Sequence, residues 1–233
     1  MKVNTKNRGY VIFYAAVTSA VFTGAIMALY KATEPTAERT ALVFEKKSIV
    51  ELFSLGDVGE MSDKEILETY DRHVRRGRTV TDPVSGESFE LITAWRFEDG
   101  KERLIGYAFP ISGVGFWARI EGLLAVTPDL SRTIGIVFLR HSETPGLGGR
   151  IMERQFREPF FRGLNVAPPP AGQSYLEITR GEPAPGRGDR HVEAITGATG
   201  TSTAVSDFLN ERLEQFRRAM KNAGMLNERP ADH

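Results

Sequence analysis

Apolar residues along the chain change their spacing several times, and each spacing predicts a different element. From Gly9 to Tyr30 no side chain carries a charge, with Arg8 and Lys31 at the borders. As a helix this stretch would be roughly 33 Å long, enough to cross a bilayer. From Thr33 to about Phe53 apolar residues recur at helical intervals in a polar background. Met61 to Val74 opens with Ser62 followed by Lys64 and Glu65, the pattern of a capped helix. Both segments read as helices leading away from the membrane, their charges forming a solvated face.

Between about Arg78 and Leu139 the runs become short and are separated by Gly, Pro and Asp. Phe89 to Phe97, Glu102 to Phe109, Ile120 to Val126 and Thr133 to Leu139 are each of strand length, with Asp99-Gly100 as one turn. An antiparallel sheet is the expected core. A Pro- and Gly-rich stretch from Ala167 to Gly188 contains a short predicted strand at Tyr175 to Arg180. A last helix starts near Ser202, with Val205, Leu209, Leu213, Phe216 and Met220 on one stripe and Gly224 as its stop. The fold class is therefore α+β, helices packed on an antiparallel sheet behind an N-terminal transmembrane helix. The divisions are an N-terminal tip at 1–8, the transmembrane helix at 9–30, a helical stalk at 31–76, the main domain at 77–224 and a tail at 225–233.

Charge orients this picture. Lys2, Lys6 and Arg8 precede the apolar stretch without an acid, and Tyr10, Tyr14 and Tyr30 fall where aromatic rings prefer the membrane interface. The N-terminus reads as cytoplasmic and everything after Lys31 as extracytoplasmic. A cleaved signal peptide is the alternative, but its apolar region would run to about 7–15 residues and end in a small-x-small site. Thirty Lys and Arg balance thirty Asp and Glu, so no basic excess points to nucleic acid. The chain has no Cys, which excludes disulfides and argues against a protein-held iron–sulfur cluster. His73, His141, His191 and His233 lack metal-ligand spacing and no Ser sits in a nucleophile elbow, so neither a metal site nor a catalytic triad is assigned.

The chemistry concentrates in two segments. Glu193 to Ser202 packs Thr196, Gly197, Ala198, Thr199, Gly200, Thr201 and Ser202 against the start of the last helix. Small residues admit a ligand close to the backbone, and a helix N-terminus favours phosphate. A plain helix cap with a glycine turn accounts for the same composition. His141 to Gly149 reads His-Ser-Glu-Thr-Pro-Gly-Leu-Gly-Gly, a loop directly after a strand. Pro145 restricts it, while Gly146, Gly148 and Gly149 free it to press against a flat ring, with Leu147 as the apolar contact.

Thr196-Gly197-Ala198-Thr199-Gly200-Thr201 resembles the flavinylation motif of the FMN-binding domain family: an acid, two residues, Ser or Thr, Gly, Ala, Ser or Thr, any residue, then Thr. Glu193 stands where that motif usually has Asp and keeps the charge. The loop Glu143-Thr144-Pro145-Gly146-Leu147-Gly148 is similar to a second stretch of the family, and Gly113-Val114-Gly115-Phe116-Trp117 to a third. The family includes the C-type subunit of the sodium-pumping NADH:quinone oxidoreductase and the G-type subunit of the Rnf complex.

The resemblance implies FMN joined through its phosphate to Thr201 by a separate flavin transferase. It implies contacts from Thr196, Gly197, Ala198, Thr199, Thr201 and Ser202 and from Glu143, Thr144, Gly146 and Leu147. It also implies an electron-relay role in the bacterial inner membrane, in complex with other membrane subunits, the soluble domain being periplasmic. Trp117 is expected near the ring or in the core, and Arg180 near flavin or phosphate charge or at the surface. A Thr hydroxyl is a weak nucleophile without an activating base, and none is evident beside Thr201 in the sequence. The rival is an anchored binding or assembly module that keeps the fold without the flavin.

Overall fold

The computed structural model describes residues 8–98 and 100–226. Lys2 and Lys6, Asp99 of the predicted turn, His233 and the tail from Asn227 lie outside the described residues. The chain divides into two compact units, Met1–Phe44 and Glu45–His233.

A single helix, α1 (Arg8–Leu52), takes the place of the two helices expected over 9–30 and 33–53. The Thr33 hydroxyl donates back to the Leu29 carbonyl (3.0 Å), as a mid-helix threonine does, instead of capping a new start. Gly9–Glu34 is long and apolar enough to cross a membrane. Its Ile12, Phe13, Phe22, Ile26 and Leu29 side chains are exposed.

In the second unit, α2 (Asp63–His73) begins with the Ser62 cap. The Ser62 N–H donates to Glu65 Oε2 (2.8 Å) and the Glu65 N–H to Ser62 Oγ (3.4 Å), a reciprocal capping box. Five strands follow as an antiparallel meander in sequence order: β1 (Val74–Thr81), β2 (Ser88–Glu98), β3 (Lys101–Val114), β4 (Arg119–Val126) and β5 (Thr133–Arg140). β1 begins directly after α2, earlier than the sheet expected from Arg78. β3 runs on past Phe109 through Pro110. The missing N–H of Pro110 is tolerated because the β2 pairing stops at Ile92–Ala108, leaving that edge of β3 unpaired.

Side chains alternate between the two faces, and both faces are covered. Phe89, Leu91, Phe109, Leu124, Ile136 and Phe138 join the core beneath α4 (Thr199–Asn222). Ile92, Ala94, Ala108, Leu123, Ala125 and Val137 join a second core with Ile49 and Leu52 of α1, Phe53 just after it, and Ile66 and Tyr70 of α2. Burial on both sides is why the strands read as near-continuous apolar runs. Sequence pattern missed α3 (Arg154–Phe161), which carries Pro159. It also missed the pairing of the predicted Tyr175 strand, here β6 (Glu177–Thr179), in parallel with β7 (His191–Glu193).

The apolar stripe of α4 buries Val205, Leu209, Leu213, Phe216 and Met220. Phe216 stacks on Phe109 (centroids 3.8 Å apart), and Phe89 meets both rings edge-on. Arg218 grips fully buried Asp82 with Nε to Oδ1 at 2.9 Å and Nη2 to Oδ2 at 2.7 Å, tying α4 to the β1–β2 hairpin. Arg218 holds the Asp82 carboxyl well below its usual range; burial opposes this, while the Ser85 hydroxyl and the Val84 and Ser85 N–H groups reinforce it.

A depressed carboxylate stabilises the fold fully above its unfolded pKa, about 3.9, and that contribution disappears as pH falls through the folded value. Asp82→Asn is expected to cost about 3 kcal/mol at pH 7, the low end for breaking a buried pair because Arg218 is partly in water. The gap to the parent should narrow below about pH 4, where the parent loses the same contribution. Urea unfolding at pH 7 and pH 3 measures both; an unchanged gap at pH 3 would contradict the linkage.

Candidate functional site

Three segments meet at one end of the sheet. The β3–β4 hairpin brings Phe116 and Trp117 to its tip, closed by Gly115 N–H donating to the Ala118 carbonyl (2.8 Å). The loop after β5 runs from His141 to Leu147 and ends in a 3-10 turn, Gly148–Met152. Gly146 takes φ +74°, and the Leu147 and Gly149 N–H groups both donate to the Thr144 carbonyl (3.1 and 3.0 Å). The third segment is Gly197 to Thr201, where α4 starts at Thr199 rather than at the expected Ser202.

Together they line a cavity of about 170 Å³ bounded by Phe116, Trp117, Glu143, Thr144, Leu147, Gly148 and Gly197 to Thr201. Of the residues singled out in the sequence, Thr201, Thr199, Ala198, Gly197, Glu143, Thr144, Leu147 and Trp117 are gathered here. Thr196 turns to a different pocket beside Glu193. Ser202 is buried with its hydroxyl accepting from the Ile195 N–H (3.0 Å), pinning the turn before α4. Gly146 shapes the loop without lining the cavity, and Arg180 is exposed just beyond β6, away from the cavity lining.

At the base of the cavity the Thr201 hydroxyl donates to Glu143 Oε2 at 2.6 Å, and both residues are buried. The Trp117 backbone N–H donates to Glu143 Oε1 at 3.1 Å, so both carboxyl oxygens act as acceptors. The Glu143 N–H donates to His141 Nδ1 (3.2 Å), and the Trp117 indole N–H to Thr144 Oγ1 (3.2 Å). One carboxylate thus joins hairpin, loop and helix. No ionisable group beside Thr201 was evident in the sequence; this contact, made across 58 positions, puts a carboxylate there. Nothing in local spacing signals it.

Space around the pair is tight. A Cβ on Gly115 would come within 2.5 Å of Glu143 Oε1, and one on Gly148 within 2.6 Å of Oε2 and into hard contact with Thr201 Oγ1. Phe116 packs on Gly200 in the same manner. Above the buried pair, the rings of Phe116 and Trp117 and the side chain of Leu147 are exposed, with Phe116 and Trp117 edge to face at 5.2 Å. Among the described residues no cluster of His, Asp and Glu is placed as a metal site.

Residues 115–214 match the FMN-binding domain family, a span that contains every cavity-lining residue. The C-type subunit of the Na(+)-translocating NADH-quinone reductase of Pseudomonas aeruginosa is 25% identical over 83% of this chain and 85% of that protein. The G-type subunit of the proton-translocating ferredoxin:NAD(+) oxidoreductase complex of Clostridium ljungdahlii is 31% identical over 52% of this chain and 58% of its own length. Two solved structures share the fold. They are NqrC of Shewanella oneidensis (TM-score 0.62, 17% identity, covering 77% of this chain and 95% of that one) and the corresponding reductase subunit of Parabacteroides distasonis (TM-score 0.61, 20% identity, covering 76% and 92%).

The cavity offers what a flavin phosphate requires. Exposed flat and apolar side chains suit the ring. The N–H groups of Thr199, Gly200 and Thr201 precede the first intrahelical bond, Ser202 to Ala198, and so face the cavity end of α4 with positive polarity. A hydroxyl lines the floor.

Gly148→Ala is expected to force Thr201 Oγ1 and Glu143 Oε2 apart beyond hydrogen-bond reach and to destabilise the fold by about 1–3 kcal/mol through overpacking. Gly146→Ala meets open space and should cost only the penalty of positive φ, about 1–2 kcal/mol, leaving the pair intact. Crystal structures and denaturant unfolding of the two variants check this. A preserved 2.6 Å contact in Gly148→Ala would refute the packing account.

Proposed function

We propose that this chain is a membrane-anchored electron carrier that holds FMN covalently on Thr201, as a subunit of an ion-translocating oxidoreductase of the NADH:quinone or ferredoxin:NAD type. The observation that carries the reading is the coincidence of the family match with a cavity whose floor is a threonine hydroxyl at the start of a helix. When bound, FMN supplies one-electron redox chemistry that no side chain of the cavity supplies.

The residues of this chain do the rest. Thr201 tethers the phosphate and the first turn of α4 meets its charge. Leu147, Trp117 and Phe116 orient the ring and exclude water from one face, and the Thr144 hydroxyl fixes the indole of Trp117. A tether makes occupancy independent of free FMN, which an extracytoplasmic site requires. The apolar helix Gly9–Glu34 supports a single-pass anchor by length and composition. The relatives' names support partner subunits in the same membrane, and maturation by a flavin transferase fits the motif.

Co-expression with a flavin transferase is expected to give in-gel flavin fluorescence and an intact-mass adduct of FMN less water, both lost in Thr201→Ala. Persistence of the adduct in that variant, or its mapping to Thr196, Thr199, Ser202 or Thr203, would overturn the assignment. Leu147→Ala and Trp117→Ala should retain the adduct and shift the flavin absorption spectrum or potential; two variants indistinguishable from the parent would displace the ring from this face. A C-terminal reporter active only outside the cytoplasm is expected to be active, and activity of a cytoplasm-only reporter at that position would reverse the orientation.

A further inference from the structure

We infer that Glu143 is the proton acceptor for the reaction that esterifies Thr201, so that the chain carries part of the catalytic machinery for its own modification. The inference rests on the proposed attachment at Thr201. It follows from three independent features of the site.

The first is direction. The Thr201 hydroxyl already points its proton at Glu143 Oε2, 2.6 Å away, within the range in which a general base removes a proton during attack. The second is accessory bonding. Oε1 is occupied by the Trp117 N–H and the loop behind it is fixed by His141 Nδ1, so Oε2 is the oxygen left to receive a proton. The third is space. Glycines at 115 and 148 bring backbone against the carboxylate from two sides, where any side chain would intrude on it. A merely structural threonine hydroxyl has no need of an ionisable partner, since a backbone carbonyl serves, as it does for Thr133 and Phe160 (2.7 Å).

A phosphoester does not form from free FMN without an activated phosphate. The co-reactant is therefore a flavin whose phosphate is held in a phosphoanhydride, as in a flavin dinucleotide. Thr201 Oγ1 attacks that phosphorus and forms the new O–P bond. The O–H proton passes to Glu143 Oε2 as the bond forms. The anhydride P–O bond breaks, and the leaving nucleotide phosphate departs with the electron pair. No oxidation state changes.

Once Thr201 is esterified it has no proton to share with Glu143. The hydrogen bond that closes the floor of the cavity is then gone, and Oε2 must take its proton to the new phosphate or release it to the transferase interface. The apo and loaded proteins thus differ at the residue that joins all three segments.

The test uses the full-length chain with a flavin transferase and flavin adenine dinucleotide as the probe, following adduct mass against time at several concentrations of acceptor chain. Glu143→Gln keeps the size and one acceptor oxygen but not the capacity to take the proton. Its kcat is expected to fall at least about 100-fold, the ordinary size of a general-base contribution, with KM for the acceptor chain within about threefold. Glu143→Asp, which keeps the carboxylate but retracts it, should fall between the two, and serves as the deciding variant if Glu143→Gln does not fold by circular dichroism. Parental kcat in either folded variant, or a raised KM with parental kcat, would overturn the role of Glu143. Failure of the parent chain to acquire an adduct, or an adduct elsewhere than Thr201, would instead sink the attachment reading on which the inference rests. A second readout needs no flavin: the apo Glu143→Gln crystal structure should keep Thr201 in its rotamer, and a flipped hydroxyl would show that slow modification reflects lost positioning instead.

Discussion

Where α4 begins is decided by the aromatic cluster that seats it. Phe216 lies flat on Phe109 with Phe89 against both, and Arg218, two residues further along, clasps buried Asp82. These contacts lie toward the far end of the helix from Thr201, yet a helix is a rigid rod over such lengths, and its first turn goes where its apolar stripe puts it. Phe208, nearer the start, fills the space left by Gly113 at the end of β3. The hydroxyl at position 201 therefore reaches Glu143 because of side chains that have no chemistry of their own.

The site itself is assembled by topology more than by local order. In a meander, a hairpin tip and the end of the next strand but one emerge on the same side, so the β3–β4 turn and the loop after β5 are neighbours without any further instruction. Glu143 then links them, through the Trp117 N–H on one side and the Thr201 hydroxyl on the other. The buried carboxylate is satisfied by donors from separate elements, an arrangement in which removing one donor leaves a buried carboxylate oxygen without a partner.

Much of this was legible in the sequence. Strands β2 to β5 declared themselves because both faces are buried, and the stripe of α4 was complete from Val205 to Met220. The Ser62 cap was visible from spacing alone. What stayed hidden depended on distance along the chain or on features that break local rules. Pro159 inside α3 and three-residue strands pairing in parallel leave no periodic mark. The Glu143–Thr201 contact spans two elements, and Arg180, attractive as a cation near the motif, lies exposed just beyond a short strand. Resemblance of motifs located the cavity; only geometry distinguished Thr196 and Ser202, which face elsewhere, from Thr199 and Thr201.

A sheet buried on both faces cannot tell its two sides apart by polarity, which is the usual guard against a strand sliding by one residue. Here bulk replaces polarity. One face carries Phe89, Phe109 and Phe138, while the other mixes Ala94, Ala108 and Ala125 with Ile92, Leu123 and Val137. A slip of one residue in β3 would drive Phe109 into the place of Ala108, beneath α2 and the end of α1, and would leave a void beneath α4. The alignment of strands, and with it the meeting of three distant loops around a single hydroxyl, is thus kept by a size code written across the thickness of the sheet.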